Sequence, residues 1–211
     1  MGINFGNTAP VSAGITEVPA ENGGFTLDLD KGVVLDLTKR EPGLKNIIFA
    51  AGWDANTSYP EFDLDVSAFL LNANGKITAA DDIIYFKHLN AQGITMSGDS
   101  RTGDGDGDDE TIAINLEQIP DKYTSIVFTI NIYEAAVRKQ TFGMVKNSYC
   151  RLLNADENNK ELCRFRLKDD YGSYTAVIVA QLKRDSGEWN FVTVGDGKVV
   201  SDLNGIAALY M

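Results

Sequence analysis

Phe62-Asp63-Leu64-Asp65-Val66-Ser67-Ala68-Phe69-Leu70-Leu71, running into Asn72-Ala73-Asn74-Gly75, decides the fold class. Val, Phe and Leu dominate the run, as in a strand that packs on a core. The Asn74-Gly75 pair behind it signals a hairpin turn, because both residues accept the positive φ such turns demand. Working outward, Asn46–Trp53 is nearly continuous apolar sequence of strand length, as expected for a strand covered on both faces. Phe25–Leu29 and Val33–Leu37 alternate before Glu41-Pro42-Gly43 breaks the chain. Downstream, Ile83–Phe86, Gly93–Ser97, Thr111–Leu116, Ser125–Tyr133, Tyr149–Asn154, Leu162–Leu167, Tyr174–Lys183 and Trp189–Val194 repeat the pattern with turn clusters between them. Such spacing predicts an all-β fold, a two-sheet β-sandwich with one or two short helices, rather than alternating β-α units. Glu134–Lys139 is the stretch expected to be helical. Residues 1–24, rich in Gly, Asn, Pro and Ser, are expected to form an N-terminal arm or extra edge strand, and residues 25–211 a single domain.

A chain of 211 residues can bury a core without disulfides. Its 30 acidic residues exceed its 19 basic ones, giving a net charge of −11. That balance repels nucleic acid and anionic membranes and favours cations. No apolar run reaches the length of a membrane-spanning helix, so direct membrane insertion is not expected. The N-terminus lacks the basic and apolar regions of a secretory signal, and Gly6 stands where a myristoylation motif at Gly2 wants Ser or Thr. A cytoplasmic location is expected. Cys150 and Cys163 are too far apart for a CxxC pair and are expected to be two buried thiols.

The chemistry concentrates in Gly98-Asp99-Ser100-Arg101-Thr102-Gly103-Asp104-Gly105-Asp106-Gly107-Asp108-Asp109-Glu110. Six carboxylates packed this closely repel one another unless a cation neutralises them. The four glycines let the backbone curl so that oxygens converge. Calcium takes six to eight oxygens at flexible angles, magnesium is its natural competitor, and zinc would want His or Cys. An EF-hand starting at Asp104 would need Gly at 109 and Glu at 115, where the chain has Asp109 and Asn115. A tandem nine-residue calcium repeat is also absent, since only one Gly-Asp burst occurs. Asp63 and Asp65 form a second acidic cluster, two apart on a strand and so on one face, where the loop can meet them, with Asp54 as a neighbour. The Asp28/Asp30 and Asp81/Asp82 pairs are expected to be solvated strand-end charges.

These segments resemble the TerD-type family of tellurite-resistance and stress-response proteins. The resemblance rests on Pro42-Gly43-Leu44, Gly52-Trp53-Asp54, Phe62–Phe69, the loop Gly98–Glu110, Asn131-Ile132-Tyr133-Glu134-Ala135, Arg138–Gly143 and the Trp189…Gly195-Asp196-Gly197 ending. It covers about residues 27 to 200, with the Gly-Asp loop its most specific part. It implies a β-sandwich that binds calcium, commonly two ions, and carries no settled catalytic activity. It also implies the ligand set Asp63, Asp65, Asp99, Asp104, Asp106, Asp108, Asp109 and Glu110, with backbone oxygens near Ser100 and Thr102. Protein partners within a stress-response complex are a further implication.

Three rival functions are weaker. A metal-dependent phosphoesterase would use the carboxylates to activate water, but such sites keep an open position, often beside His or Lys. His88, the sole histidine, has no local Ser or Cys partner and is expected to be a packed or surface residue. Calcium-dependent membrane docking would want basic or apolar residues beside the ion, where Arg101 stands alone. The third is a purely structural ion. Trp53 is expected to pack in the core beneath the loop, Arg138-Lys139 to end a solvated helix, and Tyr171 and Tyr174 to flank a turn.

Overall fold

The computed structural model describes residues 13–20, 23–54, 62–97, 107–167 and 171–211. Its first half contributes β1 (Ile15–Pro19), β2 (Phe25–Leu29), β3 (Val34–Asp36), β4 (Asn46–Asp54), β5 (Leu64–Asn72), β6 (Ile83–Ile84), β7 (Asn90–Ala91) and β8 (Ile94–Met96). The second half adds β9 (Glu110–Asn115), β10 (Tyr123–Ile132), β11 (Lys146–Asn154), β12 (Lys160–Arg166), β13 (Ala176–Asp185) and β14 (Glu188–Lys198). They form an eight-stranded sheet ordered β1-β2-β12-β11-β4-β9-β8-β7 and a six-stranded sheet ordered β3-β14-β13-β10-β5-β6. Among the described residues pairing is antiparallel except between β2 and β12, where Leu27 lies beside Cys163 in parallel. The all-β, two-sheet architecture is the one expected, and every strand anticipated from the sequence is present.

Alternation builds the core. Leu64, Val66, Ala68 and Leu70 of β5 and Ile126, Phe128, Ile130 and Ile132 of β10 face Ile47, Phe49 and Ala51 of β4 and Ile112 and Ile114 of β9. The rings of Phe49 and Phe128 stack across the two sheets, 4.0 Å apart and 3° from parallel. Cys150 and Cys163 are both buried in this core, as expected. The outer face of the six-stranded sheet is also covered. Phe69, Leu71, Val127, Ala176 and Ile178 pack there under Ile206 and Ala207 of the C-terminal segment.

The helices differ from expectation in number. Alongside the anticipated one, here α2 (Ala135–Arg138), the described residues hold α1 (Leu37–Arg40) and α3 (Leu203–Ala207). Val33–Leu37, read as one strand, is cut short because Asp36 caps α1, its carboxylate accepting the Lys39 N–H at 3.0 Å. Asp81 is exposed, but Asp82 is not the solvated charge anticipated: it is 1 % exposed. Its Oδ2 accepts the N–H of Thr78 and Ala79, and its Oδ1 accepts the Tyr123 hydroxyl. Burial alone would raise this carboxyl, yet the donors around it hold it below the usual aspartate range. Asp28 likewise is half-buried and ion-paired with Arg166.

Candidate functional site

The acidic segment enters β9 through three consecutive carboxylates, each sent in a different direction. Glu110 begins the inward set that continues with Ile112 and Ile114, so its carboxylate is driven into the sandwich and is 1 % exposed. Its Oε2 accepts the N–H of Val66 at 2.8 Å. That N–H is available because β6 pairs with β5 only at Ala68 and Phe69, leaving the start of β5 as an open edge. One carboxylate thereby ties the end of the acidic segment to the strand that carries Asp63 and Asp65.

Asp109 extends the β4–β9 ladder. Its N–H donates to the Ala51 carbonyl at 2.9 Å, and its Oδ2 accepts the Trp53 N–H at 2.9 Å. Trp53 itself is buried, as expected. Asp108 turns to the outside of the eight-stranded sheet. Nε and Nη2 of Arg151 donate to its two oxygens at 2.8 and 2.9 Å, a bidentate clasp that fixes the direction of this carboxylate. The Tyr149 hydroxyl stands 3.1 Å from Asp108 Oδ1 and 2.9 Å from the Gly107 carbonyl. Burial, and then the Asp108 charge, push the Tyr149 phenol up, so it stays protonated as a donor.

Arg151 also reaches Glu161, whose carboxylate is held by Arg164 through Nε at 3.0 Å and Nη2 at 2.9 Å. The Arg164 guanidinium lies over the Tyr149 ring, 4.7 Å from its centre. Asp108, Arg151, Glu161, Arg164 and Tyr149 thus form one part-buried charge network beneath the end of the acidic segment, with Glu161 and Arg164 its buried members. Sequence inspection missed it, because Arg151, Glu161 and Arg164 are scattered charges within strands. The one available signal was that Arg151 and Arg164 fall on the outward-facing side of neighbouring strands.

Gly52 is what allows this docking. A Cβ there would stand 2.6 Å from the Tyr149 hydroxyl and 2.8 Å from the Gly107 carbonyl. Gly52→Ala is therefore expected to destabilise the fold by about 1–3 kcal/mol, the usual cost of forcing extra atoms into a packed place. Urea unfolding measures it, and an unchanged midpoint would show that the segment does not rest on β4.

Asp63 and Asp65 arrive on one face, as expected, but on the outer side of the six-stranded sheet, since Leu64 and Val66 point into the core. The Arg138 guanidinium reaches back from α2 to Asp63 at 3.3 Å and also covers the Tyr133 ring. Arg138 is thus tied to the acidic strand rather than simply solvated. Asp65 is 6 % exposed and accepts from the amide of Asn131, its cross-strand partner, at 3.2 Å. Asp54, at the end of β4, is exposed and accepts from Asn147. Asp99, Ser100, Thr102, Asp104 and Asp106 lie outside the described residues. Among the described residues, no three His, Cys, Asp or Glu side chains stand close enough to hold a metal ion. The donors are oxygens, which suit calcium in kind.

His88 is engaged structurally, its Nδ1 lying 2.8 Å from the Ile83 carbonyl in the turn where Tyr85 and His88 bridge.

The family model described as the TerD domain matches residues 25–210. The tellurium resistance protein TerD of Serratia marcescens is 41% identical over 176 residues, covering 82% of this chain and 91% of that protein. General stress protein 16U of Bacillus subtilis (strain 168) is 42% identical over 177 residues, covering 82% and 91%. The crystal structure of SAV2460, described as a protein of unknown function, aligns with a TM-score of 0.63 at 26% identity, covering 78% of this chain and 95% of that one.

Proposed function

Because the chain belongs to the TerD domain family, we propose that it is a calcium-binding, non-enzymatic module of tellurium resistance and stress response. The observation that carries the proposal is the burial of Glu110 against Val66. It ties the last residue of a sequence with six carboxylates in thirteen residues to the strand bearing the second acidic pair. With Asp108, Asp109 and Glu110 held in place at its end, these carboxylates cannot relieve their repulsion by spreading apart, so a divalent cation gains more by binding there than at a solvated tail. Arg151 divides its charge between Asp108 and Glu161. In this reading Asp99, Asp104 and Asp106, with backbone oxygens near Ser100 and Thr102, complete the shell around Asp109 and Glu110. When bound, calcium supplies charge neutralisation and cross-linking of the acidic segment.

A non-catalytic role is supported by the chemistry on hand. The single histidine is engaged with a backbone carbonyl, and burial pushes both cysteine thiols well above their ordinary range, which keeps them unreactive. No helix of the described residues is long and apolar enough to cross a membrane.

Calorimetric titration of the metal-stripped chain tests the proposal. Calcium is expected to bind more tightly than magnesium, and Asp104→Asn with Asp106→Asn is expected to weaken it at least about tenfold, with one charge lost at each position. Calcium at one hundred times its dissociation constant is expected to add about 2.7 kcal/mol per site to the stability. Absence of a calcium isotherm, or an isotherm unchanged in the double variant, would overturn it.

A further inference from the structure

The outer face of the six-stranded sheet holds a cleft of 460 Å³, separate from the Asp108–Arg151 anchor. Its floor is the cross-strand pair Asp65 and Asn131, and its aromatic wall is Tyr85, Phe86 and Tyr133. The opposite side is the entry to α3, from Ser201 to Asn204. Phe86 packs edge-on against both tyrosines, with ring centres 5.6 Å from Tyr85 and 6.2 Å from Tyr133. Glu134 and Asp202 stand exposed at the rim.

Three observations specify what the cleft accepts. Three carboxylates, Asp65, Glu134 and Asp202, face one ammonium, Lys87, so the lining favours a cation. The aromatic rings already attract cations, with Lys87 Nζ 5.1 Å from the centre of Phe86 and the Arg138 guanidinium 5.3 Å from that of Tyr133. Finally, Asn131 is only 5 % exposed, and its Oδ1 has no hydrogen-bond partner although its amide nitrogen donates to Asp65. A buried acceptor left this way calls for a donor.

We propose that this cleft binds a small organic amine, its ammonium donating toward Asn131 and Asp65 and its apolar body lying on Tyr85, Phe86 and Tyr133. A bare metal ion fits less well. The cleft is larger than an ion needs, part of its wall is aromatic, and no three metal-type side chains converge among the described residues. An anionic ligand would meet the carboxylates. The volume lies within the range of small-molecule sites.

The test uses the full chain saturated with calcium, titrated with 2-phenylethylamine and with 2-phenylethanol while amide and aromatic NMR shifts are followed. The titration is repeated in chelator, so that amine binding is read whether or not calcium binds the chain. The amine is expected to shift resonances of Tyr85, Phe86, Tyr133 and Asn131 and to bind at least about tenfold tighter than the alcohol, since only the ammonium makes charge-assisted bonds. Asp202→Asn with Glu134→Gln is expected to weaken the amine about tenfold and leave the alcohol unchanged. Asn at position 202 still caps α3, so folding is retained. Phe86→Leu is expected to weaken both ligands. Equal affinity for amine and alcohol, amine binding untouched by the rim variant, or shifts confined to other parts of the chain would each overturn the proposal.

Discussion

Phe128→Ala is expected to lower the stability of this protein by about 3–5 kcal/mol, the largest effect foreseen for any single core residue. Phe128 is fully buried in the middle of β10 and stacks on Phe49 of the opposite sheet. Truncation removes both the apolar contact and the ring-on-ring interaction, and it leaves a cavity between two sheets that cannot close on it. Urea unfolding measures the change, and Phe128→Leu, which keeps most of the volume, is expected to lose far less. A loss below about 1 kcal/mol for alanine would mean that the sheets repack freely, contrary to the close packing of protein interiors.

The second large effect concerns Glu161. Its side chain is 1 % exposed, and its oxygens accept from Arg151, Arg164 and the Thr26 hydroxyl. Glu161→Ala is expected to destabilise by about 3–5 kcal/mol, because two guanidinium groups then lose a buried counter-charge. The same carboxylate gives a pH signature. Burial alone would raise it, but the hydrogen bonds and charges of Arg164 and Arg151 prevail and hold it below the ordinary glutamate range. A carboxyl lowered in the folded state contributes stability above its unfolded value of about 4.3, and that contribution disappears as pH falls through the folded value. Chemical denaturation between neutral pH and about pH 3 is expected to show a steeper acid loss in the parent chain than in Glu161→Gln. Parallel curves would show that Glu161 carries no net linkage.

The strands were legible in the sequence because alternation and turn residues are local properties. Asn46–Trp53 and Phe62–Leu71 could be assigned from their own composition, and the structure places β4 and β5 over nearly the same residues. What escaped notice depends on partners far along the chain. Asp82 is buried because Tyr123, 41 residues away, donates to it. The network around Glu161 joins residues from separate strands of one sheet. α3 is only five residues long, too short for helical periodicity to declare itself, and so the covering of the outer sheet face was unforeseen.

The acidic segment was conspicuous in composition, but its wiring was not. That Glu110 turns inward follows from the strand alternation beginning there, and composition carries no register. The shared face of Asp63 and Asp65 was foreseen from their spacing. That this is the face away from the core follows from Leu64 and Val66, whose burial fixes the register of β5.

The parallel junction has a kinetic consequence. β2 has β1 as an immediate hairpin partner, but its other edge waits for β12, and Thr26 and Glu161, which bond across that junction, are 135 residues apart. At ribosomal speeds of about 5–20 residues per second, the hairpin stands half-paired for roughly 7 to 27 s during synthesis. A strand edge left open that long is a site for wrong pairing between nascent chains. The sandwich therefore closes late, and its most vulnerable moment falls while the ribosome still holds the chain.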